Sequence, residues 1–250
     1  MPYVQSDAAV IHYEVEGEGP PLILQHGFTD DMNVWKDRGY TDALRRGNRL
    51  VLINARGHGR SEKPHEPAAY TPESHVADVL AVLDELGLAT SRYYGYSMGA
   101  IIGFALAKHA PERFTSMILG GSHPYPLPPA PSDPLIELLQ QGPEGLLTIY
   151  EEFITPEKKA RLLASDMEAL IAWRTNRLTG FAFPEIVETM PMRCFLYAGS
   201  ADPVHDKVRE TAAKMPRAEF YSVPDLTHVQ TQYRSELILP KVQEFLQSDA

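Results

Sequence analysis

Arg92-Tyr93-Tyr94-Gly95-Tyr96-Ser97-Met98-Gly99 joins a run of β-forming residues to a helical pattern that starts at Met98. A G-x-S-x-G sequence between a strand and a helix forces a turn so sharp that the serine takes strained backbone angles. Gly95 and Gly99 are then small because neighbouring backbone passes close to them. The turn pushes the Ser97 hydroxyl into the open at a helix N-terminus, where free N–H groups favour negative charge. A bare helix cap would also account for a serine, but not for the flanking glycines or the small Ala100. Tyr96 and Met98 read as packing residues, the backbone N–H of Met98 apart.

On the N-terminal side, strands are expected at 9–14, 22–25, 50–53 and 92–94, with a turn at 17–21. A helix is expected over 34–44, with Gly39 a weak point in its pattern. Residues 71–86 form a stronger pattern: Thr71 is placed to cap, Pro72 suits the first helical position, and Val76, Val79, Leu80, Leu83 and Leu86 recur at threes and fours before Gly87. On the C-terminal side a helix over 98–110 and a strand at 115–119 follow. Strands separated by helices of this length need right-handed crossovers, so the sheet is expected to be mostly parallel and covered on both faces.

The rhythm then breaks. Six prolines fall in the eleven residues from Pro124 to Pro134, too many for helix interior or central strand. Short helices are expected at 135–139, 146–153, 157–163 and 166–177, after which strand and helix alternate again at 193–197, 206–214, 219–223 and 237–246. The domain reading is therefore a sheet body, residues 1–123 and 187–250, carrying a helical insertion at 124–186. Insertions after a strand's carboxyl end lie where open α/β sheets bind ligands, so the insertion is read as a lid.

The chain has 250 residues, 44% hydrophobic and 22% charged, enough apolar content to exclude a disordered chain. No uninterrupted apolar run of bilayer length occurs, so no stable membrane insertion is expected. A formal net charge of −10 repels nucleic acid and anionic membrane. Cys194 is the only cysteine, which excludes a disulfide-stapled fold, and the first ten residues lack a basic and then apolar leader. A cytoplasmic protein is the expectation, with monomer and homodimer both open.

A serine hydroxyl needs a base, and the base an orienting partner. Of nine histidines, His228 lies in the loop between the last strand and last helix, at the same sheet edge as Ser97. Asp202, in Gly199-Ser200-Ala201-Asp202-Pro203, follows strand 193–197 at that edge. The competitors are Asp206, better suited to start a helix, and Asp225, close enough to His228 for a local loop bond. Charge developing on a carbonyl oxygen needs two prepared donors. The backbone N–H groups of Met98 and of Phe28, in His26-Gly27-Phe28-Thr29, are the candidates. His26 is expected to hold loop shape by hydrogen bonding. Arg56-Gly57-His58-Gly59 lacks phosphate-loop and dinucleotide spacing and reads as a structural loop with Arg56 paired internally. No metal motif is present, and neither metal nor cofactor is expected.

Together these segments resemble the α/β-hydrolase superfamily from about Val10 to Phe245, on His26-Gly27-Phe28, Arg56-Gly57-His58-Gly59-Arg60-Ser61, Gly95-Tyr96-Ser97-Met98-Gly99, Asp202 and His228. The resemblance implies an α/β-hydrolase fold, a mostly parallel sheet flanked by helices with a small helical cap. It also implies that Ser97, Asp202 and His228 act as a triad. Asn54 stands where the family loop commonly has aspartate, which alters how that loop is braced. Serine at 97 is unlike the epoxide hydrolase and haloalkane dehalogenase branches, which use aspartate there. The expected activity is hydrolysis of a small, mainly apolar carboxylic ester through an acyl-enzyme. Lactone hydrolysis (acyl-homoserine lactones included), C–C bond hydrolysis and cofactor-free perhydrolysis are the alternatives, and a ligand sensor on the same scaffold is the alternative of another class. His123, Tyr125, Phe153 and Trp173 are the candidate pocket residues, with Phe181 and Phe183 nearby. The competing reading makes these aromatics the core of the helical layer. Nothing there forms a basic cluster for a phosphorylated or carboxylated substrate, and Arg174 and Arg177, three residues apart, are read as facing water.

Overall fold

The computed structural model describes residues 2–7, 9–127, 132–150 and 154–248. Eight strands form one sheet in the order β1-β2-β4-β3-β5-β6-β7-β8. They are β1 (Tyr3–Ser6), β2 (Ala9–Glu16), β3 (Pro21–Gln25), β4 (Arg49–Ile53), β5 (Ser91–Tyr96), β6 (Phe114–Gly120), β7 (Arg193–Gly199) and β8 (Ala218–Val223). The β1–β2 and β2–β4 pairs are antiparallel and every other pair is parallel. β1 was not expected from the sequence: four residues at the sheet edge are too few to show a period.

Side chains alternate across the sheet. Ile23, Val51, Ile53 and Tyr93 enter a core on one face, shared with α3 (Pro72–Glu85), α4 (Met98–His109) and α9 (His205–Lys214). Leu22, Leu24, Leu50, Leu52, Tyr94 and Tyr96 enter the other, shared with α1 (Asn33–Asp37), α2 (Tyr40–Leu44) and α11 (Ser235–Gln247). The single helix expected over 34–44 is in fact α1 and α2. Gly39 takes φ 74°, a left-handed conformation that ends one helix and starts the next. α3 begins as expected, with the Thr71 hydroxyl accepting from the Ser74 N–H.

Four helices lie between β6 and β7: α5 (Pro134–Gln140), α6 (Pro143–Tyr150), α7 (Pro156–Leu163) and α8 (Met167–Gly180). Each opens on a proline or on a residue capped by aspartate, so part of the proline excess serves as helix starts. Leu139, Leu146, Tyr150, Leu162 and Leu170 form a third apolar cluster with Tyr233 of α10 (His228–Tyr233). Trp173, Phe181 and Phe183 instead join the core that α3 and α4 share. Among the described residues, no helix is long and apolar enough to cross a membrane.

Candidate active site

Strand register brings the loops together. Gln25 pairs with Gly95, Tyr96 with Gly120, Gly120 with Tyr197, and Gly199 with Val223. The chain therefore leaves β3, β5, β6, β7 and β8 at one edge. Among the described residues, three non-glycine residues have positive φ, and all lie in these loops: Thr29 (63°) after β3, Ser97 (52°) after β5 and Asp225 (58°) after β8. Such backbone persists only where surrounding contacts fix it.

At Ser97 those contacts are steric. A Cβ on Gly99 would lie 2.1 Å from the Gln25 carbonyl oxygen, and one on Gly95 would lie 2.3 Å from the Gly99 carbonyl carbon. Ser97 is the N-cap residue of α4, yet its side chain caps nothing. Its Oγ instead lies 2.9 Å from His228 Nε2, and His228 Nδ1 lies 2.7 Å from Asp202 Oδ2. Both distances are within proton-transfer range. The Asp202 side chain is buried and its Oδ1 accepts from the Val204 N–H at 3.0 Å, while the His228 side chain is 35% exposed.

His228 is held by signals the sequence reading missed. Thr227 and Gln230 form a reciprocal capping box that starts α10 at His228; T-x-x-Q was legible in the sequence. The Tyr96 hydroxyl, expected only to pack, donates to the His228 carbonyl at 2.6 Å. Asp206 is not the cap of α9; Val204 holds that position, and the Asp206 carboxylate meets Arg209 in the first turn. The Asp225 N–H donates to Ser200 Oγ.

Phe28 and Met98 flank this arrangement. A Cβ on Gly27 would stand 3.6 Å from Ser97 Cβ, which sets the Phe28 loop beside the serine. Among the described residues, no backbone carbonyl accepts from the Phe28 or Met98 N–H. His26 fixes the loop as expected: Nδ1 donates to the Gly27 carbonyl at 2.8 Å and Nε2 accepts from the Ala55 N–H at 3.0 Å. Burial pushes His26 down to about 4 and His58 down to about 3, so both stay neutral near pH 7. Arg56 is paired internally, forking onto Asp78 at 2.6 and 2.7 Å. Asn54 braces its loop without a charge, accepting from the Met32 N–H and donating to His12 Nδ1.

The helices between β6 and β7 grip the Phe28 loop from outside. Lys158 of α7, 3% exposed, donates to the Thr29 carbonyl (2.7 Å) and to Asp30 Oδ1 (2.5 Å). The Tyr150 and Thr29 hydroxyls are 2.6 Å apart, and Arg161 meets Asp31 and Asp37. Trp173 of α8 stacks on Phe28 with ring centroids 4.7 Å apart, and its indole N–H donates to His75 Nε2. A cavity of about 320 Å³ is lined by Thr29, Asp30, His58, Arg60, Lys63 and Lys158 among others, and neither Ser97 nor His228 borders it.

The candidate pocket residues are not gathered into one wall. Phe153 lies outside the described residues. Tyr125 turns its ring to Lys207 and Lys214 of α9, with centroid distances of 5.3 and 5.5 Å. Trp173 is buried between Phe28 and His75. His123 is buried just past β6; burial first, then the charge of Arg177, pushes its imidazole down to about 4. Arg174 and Arg177 do not both face water: Arg174 forks onto Asp133, and Arg177 is 3% exposed. Among the described residues, no group of three His, Cys, Asp or Glu is placed to hold a metal ion.

A model of the alpha/beta hydrolase fold matches residues 20–180. The chain belongs to the alpha/beta hydrolase family. This alpha/beta hydrolase is 32% identical over 119 residues to a putative carbamate hydrolase, RutD, of Azorhizobium caulinodans, covering 48% of this chain and 43% of that protein. The chain spans about two fifths of the length of the first curated relatives it matches. Among solved structures it is similar to a thermophilic esterase from Thermogutta terrifontis, with TM-score 0.85, 21% identity, and 99% and 98% of the two chains covered. It is also similar to the enol-lactonase of Burkholderia xenovorans LB400, with TM-score 0.85, 23% identity, and 98% and 100% covered. At such identities the likeness to these structures concerns the fold.

Proposed function

We propose that this alpha/beta hydrolase is a serine esterase that cleaves a small carboxylic ester, lactones included, through an acyl-enzyme on Ser97. The observation that carries the reading is the unbroken hydrogen-bonded line from Ser97 Oγ through the His228 ring to Asp202. His228 Nε2 takes the Ser97 proton as Oγ attacks the carbonyl carbon, and Asp202 stabilises the imidazolium that forms. The Phe28 and Met98 N–H groups receive the oxyanion, where loss of one donor costs about 3 kcal/mol. Collapse expels the alcohol, protonated by His228. Water, deprotonated by the same imidazole, then attacks the acyl-enzyme and releases the acid.

Residues 124–186 act as a cap whose contacts with Thr29 and Asp30 hold the oxyanion loop in register. Hydrolysis of a panel of short acyl esters, homoserine and other lactones, and C–C bond substrates tests the reading. Repeated turnover of at least one ester, lost by roughly 10⁴-fold or more in Ser97→Ala, is expected. A single turnover would instead place the chain among ligand-sensing proteins, and turnover unaffected by Ser97→Ala would remove Ser97 as the nucleophile.

A further inference from the structure

Arginine is almost never fully buried unless paired, because its charge loses hydration. Two arginines three residues apart on α8 contrast on this point. Arg174 is part-exposed and forks onto the Asp133 carboxylate at 2.7 and 3.1 Å. Arg177 is 3% exposed, and its hydrogen bond among the described residues runs from Nη1 to the Phe181 carbonyl at 3.0 Å. That carbonyl, just past the end of α8, offsets part of the charge. No described carboxylate pairs with the guanidinium. Its Nε and Nη2 donate to no described partner either.

The place of this guanidinium in the molecule follows from its neighbours. Trp173, one turn earlier on the same face of α8, stacks on Phe28 at 4.7 Å. The segment beyond Arg177 is tied to the loop after β6: Arg177 holds the Phe181 carbonyl, and the Phe183 N–H donates to the Pro124 carbonyl at 2.7 Å, next to His123. His123 is two residues beyond Gly121, where a Cβ would stand 3.1 Å from His228 Cε1. Arg177 thus stands one helical turn from the contact with the Phe28 loop and one hydrogen bond from a segment joined to the loop after β6.

We infer that Arg177 is the anchor for a carboxylate on the substrate, so that the ester or lactone opened at Ser97 is a monoanion whose short chain ends in a carboxylate. The inference rests on the esterase reading of Ser97. A guanidinium offers two parallel N–H donors that match a carboxylate, and burial strengthens the pair. One arginine neutralises one charge, which favours a carboxylate over a doubly charged phosphate. A neutral ester leaves the buried cation unpaired, and a site built around such a donor discriminates strongly against a substrate lacking the partner. Trp173 and Phe28 supply the apolar surface beside it.

The test uses two aryl esters of equal length, the 4-nitrophenyl monoester of glutaric acid and 4-nitrophenyl valerate. The wild-type protein should prefer the glutarate ester in kcat/KM. Arg177→Gln should collapse that preference by about 30-fold, through KM more than kcat, and Arg177→Lys should restore part of it. If Arg177 only closes the end of α8, both esters fall together and their ratio stands, which overturns the inference. A wild-type preference for valerate overturns it too. Binding of monomethyl glutarate to Ser97→Ala protein, with and without Arg177→Gln, separates the two readings. Binding that depends on Arg177 without turnover by the wild type would sink the esterase and keep the anchor; no binding difference would sink the anchor alone. Where Arg177→Gln does not fold, inhibition of the wild type by monomethyl glutarate but not by methyl valerate carries the test, and equal inhibition contradicts it.

Discussion

Around Ser97 the backbone is held by contact: β3 runs so close behind α4 that position 99 has no room for a methyl group, and the serine's angles follow. Among the helices between β6 and β7, α8 packs Trp173 into the main core, but α7 is attached differently, by long charged side chains, above all Lys158 reaching to Asp30 and the Thr29 carbonyl. Steric closeness demands no partner, but any added atom must push backbone aside. A buried ion pair tolerates replacement only when both members change, because a lone buried charge costs more than an apolar pair. Ser97 therefore stands where backbone presses on backbone. Phe28, proposed above as an oxyanion donor, stands on a loop that α7 also holds.

Removing Lys158 exploits that difference most. Burial already pushes the Asp30 carboxyl up, with Lys158 opposing it. Lys158→Met should cost about 3–5 kcal/mol, read as a fall in Tm on the order of 10 °C. Combined Lys158→Met and Asp30→Leu should recover most of the stability while kcat stays low, because the Thr29 carbonyl still lacks its tether. Full recovery of kcat in the double variant would show that the tether does not position the loop. Gly99→Ala should cost less, about 1–3 kcal/mol, but should lower kcat as β3 and the Phe28 loop move aside. An unchanged Tm in the Gly99→Ala protein would contradict the steric account.

The same division explains what the sequence disclosed. Glycine spacing, chain order and strand periodicity are legible in the sequence, and they singled out Ser97, Asp202 and His228, which the structure brings into hydrogen-bond contact, as well as the His26 and Arg56 braces. The capping box at Thr227 was equally legible and was overlooked. Edge strand β1 carried too few residues to read, and the 34–44 helix was split by one left-handed glycine. In the insertion, the destination of each long side chain depends on what packs over it, which no period encodes. Arg174 and Arg177 look alike in sequence and differ in burial. One signal did exist: Arg177 is four residues past Trp173 and so shares its buried face.

The most direct measurement is intact-mass analysis after exposure to an alkyl fluorophosphonate, followed by peptide mapping. A single adduct should form on Ser97, and its rate should fall by orders of magnitude in His228→Ala, where no imidazole takes the hydroxyl proton. An unlabelled Ser97 in folded protein, or labelling at equal rate without His228, would contradict the claim that these two side chains form a working nucleophile and base.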